Sequence, residues 1–154
     1  MNVEFINPFI KALLNVLTTM AQTTVTAGKP KLKNDAISKG DVSGIIGMIG
    51  PKIKGSFSIS FDESLALTIM QRMLGERPDT LNEEVADMVG EITNMVTGGA
   101  KMELDEQGYE FDMATPAIVT GPNHTIVHQV SGPKLVITFT SPEGNVHLEI
   151  CFDK

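Results

Sequence analysis

Residues Asn82 to Gly99 read Asn-Glu-Glu-Val-Ala-Asp-Met-Val-Gly-Glu-Ile-Thr-Asn-Met-Val-Thr-Gly-Gly. At about 100° per residue, Val85, Met88, Val89, Ile92, Met95 and Val96 gather on one side of a helix and need a core to face. Asp87, Glu91 and Asn94 gather on the opposite side, within about 60° of one another. Gly98 continues their stripe and Gly90 borders it. Asn82 is placed to cap this helix, and Glu83-Glu84 lie at the positive end of its dipole. Glycine on a helical face costs roughly 1 kcal/mol relative to alanine, and close approach by another backbone is the usual reason to keep it. Like charges at 87 and 91 are mildly repulsive as well. One reading is an ordinary solvated face. The sharper one is an acidic, amide-bearing ridge with lowered flanks, shaped to enter a partner's cleft.

Outward from this helix, the chain reads as helix, strands, two helices and strands. Asn7-Pro8 suits a helix opening, followed by Phe9, Ile10, Leu13, Leu14, Val16, Leu17 and Met20 at helical spacing. Past Gly50-Pro51, the residues Ile53, Phe57, Ile59 and Phe61 alternate with Lys54, Ser56, Ser58 and Ser60. That period of two predicts a strand with one buried and one wet face. Asp62 is expected to cap a second helix, which Gly75 stops. The third helix is expected to run at least to Val96, with an end either there or, through Gly98-Gly99, at about Leu104. At the end of the chain, Leu135, Ile137 and Phe139, the turn Ser141 to Asn145, and Val146, Leu148, Ile150 and Phe152 form a hairpin. The expected fold is α+β: an antiparallel sheet with long helices packed on one face. The helix-then-strands order of the two halves hints at an internal pseudo-duplication.

Composition narrows the function. The 154 residues are 42% hydrophobic and 20% charged, enough for one domain spanning 1–154 with its own core. The formal charge of −7 argues against nucleic acid or an anionic membrane as partner. The charge is uneven: residues 1–60 carry seven Lys against three acids, whereas residues 61–154 carry five Lys and Arg against sixteen. A single cysteine, Cys151, and the lack of a signal-peptide or membrane-helix pattern point to a reducing cytoplasm. There is no Gly-x-Ser-x-Gly elbow and no P-loop, which weakens serine-hydrolase and nucleotide-hydrolase readings.

Asp87-x-x-x-Glu91-x-x-Asn94, followed by Met95 and small residues, resembles the signature of the CheC/CheX/FliY chemotaxis phosphatases. Gly28-Lys29-Pro30, Gly44-Ile-Ile-Gly47, Gly55-Ser-Phe-Ser-Ile-Ser-Phe61, Ala66 to Gly75, Thr115-Pro116 and Val119-x-Gly121 are similar to the CheX branch in the same order. A bare Glu-x-x-Asn carries little information; within this order it is specific. Two-site members bear a second Glu-x-x-Asn on the first helix. The matching stretch here is Ala12-Leu-Leu-Asn15, without the acid, which fits a single-site member.

The resemblance implies hydrolysis of the phospho-aspartate of a CheY-like response regulator, ending a chemotaxis signal. It assigns catalysis to Asn94 and Glu91, and partner contact to Asp87, Gly90 and Gly98. Phosphoryl transfer passes through a loose transition state, so a helper mainly positions water and stabilises spread charge. An amide donates and accepts without titrating, which suits Asn94 to orient the water. Glu91 would pair with a cation of the regulator, its active-site Lys, and Asp87 would help docking. Mg²⁺ is expected on the regulator's carboxylates, and no metal or cofactor on this chain. A homodimer joined through sheet edges is implied too. The rival function is a non-catalytic module that docks a response regulator or flagellar switch component.

Other features are read as structural. His147, Glu149 and Cys151 alternate on the last strand, where positions two apart lie about 7 Å from each other. An outer sheet face or subunit contact is expected there rather than zinc. His124 and His128 fall in loop and strand, so their four-residue spacing is not helical ligand spacing. Lys29, Lys31 and Lys33 read as a solvated loop that could steer an acidic partner. The nine methionines read mainly as packing.

Overall fold

A computed structural model describes residues 3–35, 37–51, 54–126, 128 and 132–152. Helix α1 (Val3–Met20) leads to the short strands β1 (Thr26–Ala27) and β2 (Lys31–Leu32) and then to β3 (Val42–Ile49) and β4 (Lys54–Phe61). Helices α2 (Glu63–Leu74) and α3 (Glu83–Glu106) follow, and then β5 (Asp112–Met113), β6 (Ala117–Thr120), β7 (Lys134–Thr140) and β8 (Val146–Phe152). The strands form one sheet in the order β1-β7-β8-β4-β3-β5, with β2 beside β7 and β6 beside β3. Every ladder is antiparallel. The α+β architecture with helices over one sheet face is as the alternation of apolar residues predicts. Phe57, Ile59 and Phe61 of β4 join Val42, Ile46 and Met48 of β3 and Val146, Leu148 and Ile150 of β8 in a core closed by all three of these helices.

Three local readings need correction. Helix α1 begins at Val3, so Pro8 lies inside it and forfeits one intrahelical hydrogen bond. The extra turn buries Ile6 and stacks Phe5 on Tyr109 and Phe152, with ring centroids 4.4 and 5.2 Å apart, which offsets that loss. Asp62 stands at the N-cap of α2 without capping it through its side chain. Its carboxylate accepts from the backbone N–H of Asn145 at 2.8 Å, tying the β7–β8 turn to α2. The N–H of Glu63 donates instead to Asp41, also at 2.8 Å.

The third correction concerns the second sheet face. Ser56, Ser58 and Ser60 are buried, as are His147, Glu149 and Cys151. Lys33 and Ser38 from one chain segment and His124 and His128 from another lie over them, and the two segments are joined by the Ile37–Thr125 bridge and by the Ser38 N–H donating to the His124 carbonyl. The cover is held by polar contacts. Lys33, whose side chain is only 3% exposed, lies 2.6 Å from Glu149. The other Glu149 oxygen is 2.8 Å from His128 Nε2, and His128 Nδ1 is 2.7 Å from Ser56 Oγ. His124 reaches Ser43 at 2.6 Å, and His147 lies between Thr138 and Asp62. Lys33 is therefore a clasp and not a solvated loop residue, while Lys29 and Lys31 are exposed as expected.

Burial pushes the Glu149 carboxyl up, but hydrogen bonds from His128 and Lys33 outweigh it, and the net shift is downward. For His147, burial dominates and lowers its pKa from the usual 6.5, with Asp62 opposing only in part.

Removing one member of a buried ion pair strands the other. Lys33→Met should therefore lower stability by about 3 kcal/mol, read from urea unfolding at neutral pH; a cost within error of zero would refute the clasp. The histidine shift sets a pH window. His147 is favoured neutral in the fold, so the unfolded chain binds the extra proton, and stability falls as pH drops from about 6.5 toward its folded value. The stability supplied by Glu149 is present above the usual carboxylate range and lost further into acid. Unfolding midpoints between pH 7.5 and 5 should decline, and His147→Gln should flatten the upper part of that decline.

Candidate functional site

The chemistry-bearing stretch forms a continuous helix. The Asn82 side chain accepts from the Val85 N–H at 3.0 Å, which satisfies one of the otherwise unpaired first-turn donors. Val85, Met88, Val89, Ile92 and Val96 are buried and Met95 is half-buried, so the core side of α3 is the one that periodicity marks. The helix runs through Gly98-Gly99 to Glu106.

Small residues seat α3. A Cβ at Gly44 of β3 would collide with the Thr93 side chain, so this strand glycine allows the helix to lie close. Gly44 pairs in register with Ile118 of β6, and a Cβ on Gly90 would stand 3.5 Å from the end of the Ile118 side chain. Toward α1, the same construction on Gly99 comes 3.3 Å from the Ala12 methyl. Thr93 and Thr97 are buried, and their hydroxyls donate within the helix, to the Val89 carbonyl at 2.7 Å and the Thr93 carbonyl at 2.6 Å.

Asp87, Glu91, Asn94 and Gly98 are all exposed on the outward side. Among the described residues, the side chains of Asp87, Glu91 and Asn94 make no hydrogen bond or ion pair within the chain. Gly98 faces open space, with nothing within 4 Å of where a Cβ would stand. Gly90 is half-buried and borders Ile118, so part of its role is packing inside the chain. On α1, Ala12 is buried and Asn15 exposed.

This ridge lies on the exposed side of α3. Two clefts of about 710 and 690 Å³ lie elsewhere, around Ile49, Lys101 and Phe111 and around Ile45, Met113 and Val119, and neither includes Asp87, Glu91 or Asn94. The ridge offers a carboxylate pair and an amide to solvent, outside both of these clefts. Among the described residues, no three of His, Cys, Asp and Glu converge to hold a metal ion, and no helix is long and apolar enough to cross a membrane.

The His124, His128, His147, Glu149 and Cys151 positions lie on the other side of the sheet, in the buried polar layer, where they hold the fold together. Gly44 belongs to a stretch similar to the CheX branch, but its seating role is not legible there: the pairing of β3 with β6 sets Gly44 beside Ile118, under Thr93 and Gly90 of α3.

Comparison with known proteins places this arrangement. The profile of the chemotaxis phosphatase CheX family matches residues 42–140. The chain is 26% identical over 152 residues to the CheY-P phosphatase CheX of Thermotoga maritima, covering 97% of each. A CheC-like superfamily protein from Shewanella sp. PV-4 has 59% identity and superimposes with a TM-score of 0.94 over the whole of both chains. The CheX of the CheX–CheY–BeF3–Mg²⁺ complex from Borrelia burgdorferi is 29% identical, with a TM-score of 0.82 over 99% of this chain and all of that one. The chain is a hydrolase and belongs to the chemotaxis phosphatase CheX family, within the CheC-like superfamily.

Proposed function

We propose that this chain removes the phosphoryl group from the aspartyl phosphate of a CheY-like response regulator, and that Glu91 and Asn94 on α3 carry the reaction. The observation that supports this most directly is the ridge itself. It presents two carboxylates and an amide without partners among the described residues, on a helix closely seated by its other face. Groups held this way and left unpaired are prepared for contacts in another molecule. The likeness to a relative captured with CheY, beryllofluoride and magnesium supplies the partner: beryllofluoride stands in for a phosphoryl group.

In the proposed complex the ridge enters the regulator's phosphorylated pocket. The Asn94 amide accepts from and orients a water in line with the phosphorus–oxygen bond to be broken, while its N–H₂ is free to donate to a phosphoryl oxygen. Glu91 pairs with the regulator's active-site Lys and fixes the approach. Asp87, one turn earlier, adds docking contact, and Gly90 and Gly98 keep the flanks low. The divalent ion, Mg²⁺, sits on the regulator's carboxylates and neutralises phosphoryl charge. The water's proton leaves to solvent or phosphate, since an amide does not take it. Each protein holds half of the site, and the regulator's pocket supplies the enclosure.

The proposal takes residues 1–154 as one CheX-like domain working in the cytoplasm, as a homodimer through sheet edges. Matching of the Thermotoga relative along nearly the whole of both chains supports the single domain.

Loss of phosphate from a phosphorylated CheY-type regulator in Mg²⁺ tests the roles. Asn94→Ala should reduce the acceleration by about 100-fold, the scale for removing one positioned hydrogen-bonding group, with regulator binding largely kept. Full turnover in this variant would refute the water-orienting role. Glu91→Ala should raise the half-saturating regulator concentration and slow turnover together, because its contact forms on docking and persists through reaction. Binding without acceleration by the unaltered chain would instead favour the docking-module reading.

A further inference from the structure

We infer that Thr93 is a positioning residue for Asn94, acting through its buried hydroxyl. This rests on the reading of Asn94 and Glu91 above. An exposed Asn with no partner among the described residues takes the placement of its amide from the helix backbone that carries it. What fixes the backbone at 91–94 therefore fixes the geometry of the attacking water.

The seating contacts fall one residue before each reactive position. Gly90 packs on Ile118, and Glu91 follows it; Thr93 packs on Gly44, and Asn94 follows it. Ile118 and Gly44 are direct cross-strand partners, so both contacts bear on one point of the sheet. One residue is a rotation of about 100°, which turns the reactive pair away from the sheet while tying it to that point. Thr93 is fully buried, and its hydroxyl lies against Gly44 while donating to the Val89 carbonyl at 2.7 Å. The Thr93 carbonyl in turn accepts from the Thr97 hydroxyl at 2.6 Å. Such back-bonds shift carbonyls and bend helices. Two in succession, over 89–97, set the local course of α3 across the span holding Glu91 and Asn94.

Residue 93 variants separate hydroxyl from bulk. Val keeps the bulk and loses the hydroxyl, Ala loses both, and Ser keeps the hydroxyl and loses a methyl. Each is assayed for phosphate loss from a phosphorylated CheY-type regulator in Mg²⁺ at varied regulator concentration, alongside the unaltered chain and Asn94→Ala, with thermal unfolding measured in parallel. Thr93→Val and Thr93→Ala should lower kcat by about 10- to 100-fold, the scale of a misplacement near 1 Å, with half-saturation changed less than about 3-fold. Thr93→Ser should keep kcat within about 2-fold even where it lowers the unfolding temperature. If kcat follows bulk or thermal stability instead of the hydroxyl, or does not move in any of the three, Thr93 does not position Asn94. Thr93→Ala, which adds no atoms to the core, decides the matter if Thr93→Val does not fold. An unaltered chain without acceleration, or an Asn94→Ala variant at full rate, would overturn the underlying reading separately.

Discussion

Close approach of α3 to the sheet is the constraint on which the remainder depends. A helix packs on a sheet at a distance set by the side chains between them, and Gly44 removes the side chain that would stand under Thr93. With Gly90 against Ile118 and Gly99 against Ala12, α3 is seated on two strands and one helix by its smallest residues. Large aliphatic residues fill the space to either side: Val85, Val89, Ile92 and Val96 are all fully buried. A helix held this firmly can leave its other face without partners. Polar groups with no intramolecular contact are otherwise placed by chance rotamers, and here their backbone is fixed.

The opposite side of the sheet is stabilised by different physics. Its serines leave little apolar area to bury, and the chain covers them with ionic and hydrogen-bonded contacts centred on Glu149. A buried charge pair of this kind gives little net stability over a well-packed apolar alternative but penalises wrong arrangements, because any partner left alone is costly. Glu149 reaches both covering segments at once, through Lys33 and His128. The sheet thus has a dry face that holds the functional helix and a polar face that locks the crossing segments in register.

An exposed site has consequences for specificity. An enzyme with a pocket selects its substrate by enclosure, whereas a ridge is enclosed only by the partner it enters. On the proposed reading, water is excluded and charge compensated only when the regulator's own pocket closes on Glu91 and Asn94. Free acyl phosphates would then meet an isolated Asn in open solvent, where a single hydrogen bond is weak.

Much of this was legible in the sequence, because local periodicity reports which face of an element is apolar. The α3 stripe of Asp87, Glu91, Asn94 and Gly98 is exposed as its spacing requires. Asn82 caps the helix, Gly75 ends α2 in a left-handed conformation, and the closing hairpin pairs Leu135 with Ile150 and Phe139 with Val146. The seryl face of β4 reads as wet but is buried, because alternation shows that two faces differ, not that the polar one meets water. Whether a serine is wet depends on what crosses over it, and Lys33 and His128 come from 116 and 21 residues away from Glu149 along the chain. Pro8 and Asp62 likewise follow tertiary demands, the stacking of Phe5 and the tie to Asn145. The sequence by itself determined the three helices, the β4 strand, the closing hairpin and the composition of the reactive ridge, since those follow from neighbours within a turn or two. Only the tertiary structure decided how the ridge is held and what covers the sheet, since those contacts join residues that the chain brings together only after long loops close.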